Sequence, residues 1–461
     1  MPLVAGFMVP HPPMIVPAVG RGSEAQVEET ARAYRRVAQR IGEIAPDTIV
    51  ITSPHTVMYA DYMHISPGRK TQGSFAQFGA GGVRFEEEYD IALRDRICAL
   101  CAERGIRAGM LGERDRKLDH GVMVPLWFIR SVYSGGKIVR IGLSGLPLSE
   151  HYRLGQAIRD AAEETRDRIV FVASGDLSHK LQDYGPYGFA PEGPQYDARI
   201  MDVMGRAAFG ELLEFDETFC EKAAECGHRS FVIMAGAFDG MAVRAQELSH
   251  EDVTGVGYGI CMYEPAGEDP ERCFLDAYLR KQRRKLEAER EAADPYVRLA
   301  RETVETYVRT GQVISCPEGL PKEMLETRAG AFVSIHEHGK LRGCIGTISP
   351  VTGCVAQEII DNAVSAATRD PRFDPIEEEE LGWLSISVDV LGEAEEIGSM
   401  DELDVKRYGV IVSKGFRRGL LLPDLDGVDT PEEQVAIARK KAGIGAGETV
   451  KLERFEVVRH R

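Results

Sequence analysis

The stretch "LVAGFMVPHPPMIVP" (Leu3 to Pro17) decides how the N-terminal half is read. An apolar run, Leu3 to Val9, delivers a histidine, His11, held between Pro10 and Pro12. Proline fixes its own φ and pushes the preceding residue toward extended backbone, so His11 sits in a stiff, non-helical turn. The same arrangement recurs downstream. "TIVITSPH" (Thr48 to His55) ends on His55, and "IVFVASGDLSH" (Ile169 to His179) runs out into Asp176 and His179. "LDHGVMVPLWFIR" (Leu118 to Arg130) opens a helix near Gly121 with His120 at its mouth. These β-branched runs, with "KIVRIGLSGL" (Lys137 to Leu146), read as buried strands closed by turn residues. Between them, "EAQVEETARAYRRVAQRIGEI" and "LSEHYRLGQAIRDAAEET" carry helical periodicity with charged outer faces. The alternation predicts an α/β domain with a central, mostly parallel sheet and flanking helices. Ligands of such sheets bind beyond the carboxyl ends of the strands, and that is where these histidines collect.

The chain of 461 residues is long enough for two or three domains, and its 43% hydrophobic content is that of a soluble globular protein. A formal net charge of -17 argues against nucleic acid and anionic membranes as partners. Nine cysteines, an odd count in so long a chain, fit a reducing cytoplasm rather than a disulfide framework. Neither a signal peptide nor a membrane span is expected. The domain expectation is residues 1–265 for the α/β part, a charged linker helix at 266–294, and an α+β domain at 295–461. The basic cluster Arg280 to Lys285 reads as a solvated face of that linker.

Imidazoles converging with a carboxylate or a thiolate make a metal site, and two histidines plus one carboxylate is the open-faced arrangement of non-haem Fe(II). His11 and His55 are the natural imidazole ligands. For the third, "KAAECGHRSFVIMAGAF" offers Glu225, Cys226 and His228 where a buried helix begins. Asp176 is well placed to orient a ring, and a strand-end aspartate also serves as a helix N-cap. The glycine-rich stretch Pro67 to Gly82 reads either as a mobile lid or as a plain surface excursion.

"HPP", "SPH", "DHGVMVPL" and "GDLSH", in this order, resemble the class III extradiol ring-cleavage dioxygenases, the LigB-like family, and the related Memo proteins. The resemblance covers about the first 265 residues. It implies Fe(II), with zinc or copper as alternatives, held by His11, His55 and one residue of the Glu225 to His228 stretch. It also implies His179 as acid/base, His120 lining the pocket, and a small aromatic or phenolic substrate. The dioxygenases use a glutamate as third ligand and the Memo proteins a cysteine before glycine; here Glu225 and Cys226-Gly227 stand side by side. Two functions follow: an extradiol-type dioxygenase, or a Memo-like metal-binding component without ring cleavage.

In the last part, "KLRGCIGTISP" (Lys340 to Pro350) places Gly343 and Gly346 around Cys344 in a strand-like run, where glycine marks close approach of another backbone or a ligand. With the downstream "RDPRF" it resembles the AMMECR-type domain over Pro295 to Arg461, which implies an α+β fold with a cleft near the motif. Arg342 and Cys344 are the site candidates there. Memo-like and AMMECR-like units occur in a three-part system whose third member is a radical S-adenosylmethionine enzyme. No three-cysteine cluster for an iron–sulfur centre stands in this sequence, so that enzyme would be a separate partner. Self-association is left open. "CALC" (Cys98 to Cys101) falls in a helical stretch and reads as core, and "GVGYGI" (Gly255 to Ile260) as a closing strand. His336 and His338 are expected on one exposed strand face, and His64, His151 and His250 carry no assignment.

Overall fold

The computed structural model describes residues 2–112, 117–425 and 427–461. It divides into two compact units, Met1–Leu279 and Arg280–Arg461. The division falls inside helix Phe274–Ala292, and the strand Tyr258–Glu268 runs past the expected boundary at residue 265. Arg280 to Lys285 lies in this helix with its charged side chains exposed.

The first unit is built on a six-stranded sheet in the order Lys137–Gly142, Thr48–Ser53, Ile169–Ser174, Leu3–Val9, Tyr258–Glu268, Met241–Glu251. The first four strands run parallel, and the last two are antiparallel additions. "TIVITS" and "IVFVAS" are buried at every position, as expected of parallel strands covered on both faces. Successive residues accordingly serve two cores: Val50 packs on one side of the sheet, Ile49 and Ile51 on the other. Helices Leu148–Thr165 and His228–Ala237 cover one face, with Tyr152 and Phe231 fully buried. Glu28–Ile44 and His120–Arg130 cover the other, where Tyr34 stacks on Phe128. Because Ile169–Ser174 lies between Leu3–Val9 and Thr48–Ser53, the loops that carry His11, Asp176 and His55 leave the same sheet edge side by side.

The stretch read as a lid or a surface excursion has regular structure. Lys70–Phe75 and Ala80–Glu88 pair as an antiparallel hairpin, joined by the short turn Ala76–Phe78. Its polar, glycine-containing residues hide the alternation that a strand needs to be seen.

The second unit is α+β, a seven-stranded sheet with helices Pro295–Thr310 and Val355–Thr368 on one face. Its strands include Ala331–Glu337, Leu384–Leu391 and Lys451–His460, and Lys340–Gly346 lies where the strand-like run around Cys344 was expected. Helix Pro431–Lys441 and the hairpin Tyr408–Lys414/Arg417–Leu421 were missed. The helix has weak amphipathicity, but its start is written as a capping box, Thr430 with Glu433 and Pro431 between. His338 is corrected as well: it sits in the turn after the strand with φ 50°, not on a strand face beside His336. Among the described residues no helix is long and apolar enough to cross a membrane.

Candidate metal centre

Each site residue is delivered by a fixed backbone element. The His11 turn is tied down twice: the Tyr34 hydroxyl donates to the Pro10 carbonyl, and the His11 N–H donates to Asp176 Oδ1 at 2.7 Å. The buried His11 ring makes its own statement about protonation. Ser174 Oγ donates its hydrogen to the Gly121 carbonyl at 2.6 Å, so at 3.0 Å it accepts from His11 Nδ1–H. That leaves His11 Nε2 as the nitrogen with a free lone pair, the tautomer a metal ligand needs. Nε2 lies 2.9 Å from His55 Nε2 and 3.7 Å from Cys226 Sγ. Ligand atoms of His11, His55 and Cys226 all fall within 4.8 Å of one another.

His55 owes its position to Asp119, which the sequence reading passed over. Ser53 and Thr56, flanking His55, donate to the two oxygens of this carboxylate at 2.6 and 2.8 Å. Asp119 is also the N-cap of helix His120–Arg130, accepting from Val122 N–H at 3.2 Å. One aspartate thus joins the second strand's loop to the helix that presents His120. The residue type immediately before a helical run was the available signal. His120 then lies 3.9 Å from the His55 ring centroid and 5.4 Å from that of His11.

Cys226 reaches the centre because two glycines let the chain close. A Cβ on Gly175 would stand 2.0 Å from the Gly227 Cα. In that contact the Asp176 N–H donates to Cys226 Sγ at 3.3 Å. Of the three third-ligand candidates, the structure therefore brings Cys226 to the histidines. Glu225 and His228 are corrected: the Glu225 carboxylate accepts the His228 N–H at 2.6 Å, spent on the start of helix His228–Ala237. The His228 ring is buried in the core, with Nε2 on the Leu212 carbonyl at 2.9 Å and Nδ1 3.3 Å from the Tyr196 hydroxyl.

Asp176 and His179 complete the wall. His179 Nδ1 is bonded to the Ala224 carbonyl, which makes it the protonated nitrogen and leaves Nε2 free, 4.0 Å from Asp176 Oδ2. Asp176 Oδ2 is also 3.9 Å from His11 Nε2. Asp176, His179 and Cys226 form a second set of ligand atoms within 4.8 Å.

Burial sets the protonation of the group. It pushes His11 well below the usual imidazole value, helped by the neighbouring His55, and lowers His55 too. His120 is brought down to about 4 by burial and by the same two rings. Burial, with Asp176 and Glu225 nearby, drives the Cys226 thiol well above its ordinary value. Burial raises Asp176 despite the His179 ring beside it. The imidazoles of His11, His55 and His120 are therefore neutral at pH 7, as ligands must be, whereas the thiol loses its proton only to something that replaces it.

A cleft of about 920 Å3 opens beside His55 and His120. The hairpin read as a lid contributes Gln72, Ser74 and Gln77 to its wall, and Lys117 and Arg140 supply positive charge. His64, left unassigned above, also faces it from the two-residue strand Met63–His64; no periodicity announces so short an element.

The catalytic LigB subunit of aromatic ring-opening dioxygenase is the family whose model matches residues 5–261. The chain belongs to the LigB family. A second family model, AMMECR1, matches residues 297–460, so the LigB domain is followed by an AMMECR1 domain. A protein of Clostridium acetobutylicum is 40% identical over 469 residues, covering 100% of both chains, and so shares both domains. A Thermotoga maritima protein is 52% identical over 169 residues, 36% of this chain and 97% of its own. A crystal structure of an uncharacterised protein from Pyrococcus horikoshii is 34% identical and covers 37% of this chain and 90% of that one, with a TM-score of 0.35. LigB enzymes are metal-dependent, and the donor set described here, two neutral imidazoles and a thiol, fits a metal ion.

In the AMMECR1 domain the two candidates part company. Cys344 lines a cleft, but Arg342 does not. Its guanidinium is paired with Glu380 at 2.6 Å and donates to the Asp374 carbonyl at 2.7 Å, a structural clamp.

Proposed function

We propose that the LigB domain is a metal-dependent oxidoreductase whose ion is held by His11, His55 and Cys226 and whose substrate, a small aromatic or phenolic molecule, enters the cleft beside His120. The observation that carries this reading is the convergence of three ligand atoms within 4.8 Å, one of them from His55, which lines that cleft. A bound redox-active metal supplies Lewis acidity and open positions for substrate and dioxygen. The protein's own share is positional. His179 Nε2, its other nitrogen fixed by the Ala224 carbonyl, takes or returns a proton from a substrate hydroxyl. His120, neutral and T-shaped against Phe78 at 5.4 Å, walls the aromatic ring. Fe(II) is the metal that suits ring cleavage, whereas a thiolate ligand also suits zinc or copper.

Cys226 favours a second reading. A thiolate in the place of a carboxylate fits a Memo-like metal-binding component that serves a separate radical S-adenosylmethionine enzyme, without ring cleavage. Oxygen uptake separates the two. Under the first reading, Fe(II)-loaded protein consumes oxygen with members of a catechol panel, and His179→Ala lowers turnover about 100-fold or more while retaining iron. Catechol binding without oxygen consumption across the panel would leave the second reading standing.

A further inference from the structure

We propose that the cleft of the AMMECR1 domain binds a small organic carboxylate, its acid group on Lys441 and its body against the Cys344 thiol. The cleft measures about 1050 Å3 and lies wholly within the second unit. Its floor is one face of the sheet, and the two faces are chemically opposite. Val333, Ile335 and Val388 pack beneath the helices. On the cleft side, the register sets Cys344 opposite Ser334, Ser334 opposite Ser387, and His336 opposite Ser385. A sheet face meant only for packing would be apolar; this one carries a row of hydroxyls, an imidazole and a thiol, half-buried along the cleft. Ser334 Oγ donates to Cys344 Sγ at 3.2 Å, fixing the thiol in the row.

The charges on the wall are unequal to one another. Arg372 is held by Asp370 at 2.6 Å, and Asp370 is fixed by the Cys344 N–H at 2.9 Å. Arg459 is held by Asp389 at 2.8 Å and Arg418 lies 3.6 Å from Glu453. Lys441, accessible at the end of helix Pro431–Lys441, and Arg461 on the same wall have no carboxylate partner among the described residues, and of the two it is Lys441 that adjoins Cys344. Partial burial lowers the Lys441 pKa, and the charged groups it senses are the Cys344 thiol and the Arg372 cation. In a chain of net charge -17, an unanswered ammonium inside a cleft marks a place for an anion from outside. The Lys441 ammonium beside the thiol matches a carboxylate, and Phe332, Ile348, Leu420 and Leu422 on the same wall offer apolar surface to its carbon body.

Two alkylating reagents of equal size test this on the full-length protein. Iodoacetate and iodoacetamide both form an S–C bond with a thiolate as the C–I bond breaks, iodide leaving and the thiol proton passing to buffer. An ordinary thiolate repels the anionic reagent, so the amide is faster. At Cys344 the expected order is reversed, iodoacetate reacting about tenfold faster because Lys441 concentrates it. The half-buried Cys316 and Cys354 serve as internal controls and keep the ordinary order. Site-resolved mass spectrometry reads all three. In Lys441→Gln the reversal disappears, while iodoacetamide still labels Cys344, which shows that the fold and the access remain. Benzoate slows the labelling, and inorganic phosphate at equal concentration does not. A faster amide at Cys344, no response to either reagent, an unchanged preference in Lys441→Gln, or protection by phosphate alone would each overturn the proposal.

Discussion

The hydroxyl of Ser174 chooses which nitrogen of His11 is free, because it donates to Gly121 and can only accept from Nδ1. Replacing it leaves a buried N–H without a partner and releases the ring from its ligand tautomer. Ser174→Ala is expected to retain the fold and to lose about 10–100-fold in metal affinity, read by anaerobic titration; an unchanged affinity would mean that the serine does not set the tautomer. The thiol makes a second prediction. His11 and His55 are lowered and so already neutral at pH 7, whereas Cys226 is raised far above it. Binding between pH 7 and 8 therefore expels one proton, the thiol's, and affinity should rise about tenfold per pH unit. Anaerobic titration across that range checks it, and an affinity that does not change with pH would contradict it.

Elements explain what could be read in advance. The parallel strands are continuous β-branched runs, and each ends on a polar residue within a few positions. His11, His55, Asp176 and His179 could therefore be placed at one sheet edge from their spacing alone. The third ligand could not. Glu225, Cys226 and His228 are neighbours in sequence, and which one faces the histidines depends on Gly175 meeting Gly227 across the fold. Pattern carries no information about that contact. The hairpin around the cleft and helix Pro431–Lys441 were illegible for a related reason: their stability comes from what they pack against rather than from a clear period. The glycine contact makes its own prediction. Gly175→Ala should destabilise the LigB domain by about 2 kcal/mol in denaturant melts and weaken metal binding, because the added methyl meets backbone that cannot rotate away. A variant as stable and as metal-competent as the wild type would show that the two loops need no close approach.

At the scale of the whole molecule, the chain joins two domains whose sites differ in kind. The LigB domain gathers imidazoles, a thiol and a carboxylate at the edge of a parallel sheet, and the AMMECR1 domain lines an antiparallel sheet face with hydroxyls, a thiol and an ammonium. Both folds were visible in the sequence, through the "HPP", "SPH" and "GDLSH" motifs in one and "LRGCIGT" with "RDPRF" in the other. The boundary was less legible, since a single helix runs through it. The central claim is the identity of the metal's three ligands, and anaerobic Fe(II) titration of the full-length protein tests it most directly, with His55→Ala, Glu225→Ala and Cys226→Ala alongside. The expected result is one iron per chain in the wild type and in Glu225→Ala, and none in His55→Ala or Cys226→Ala. Iron lost in Glu225→Ala but retained in Cys226→Ala, or a wild type that binds neither iron, zinc nor copper, would contradict it.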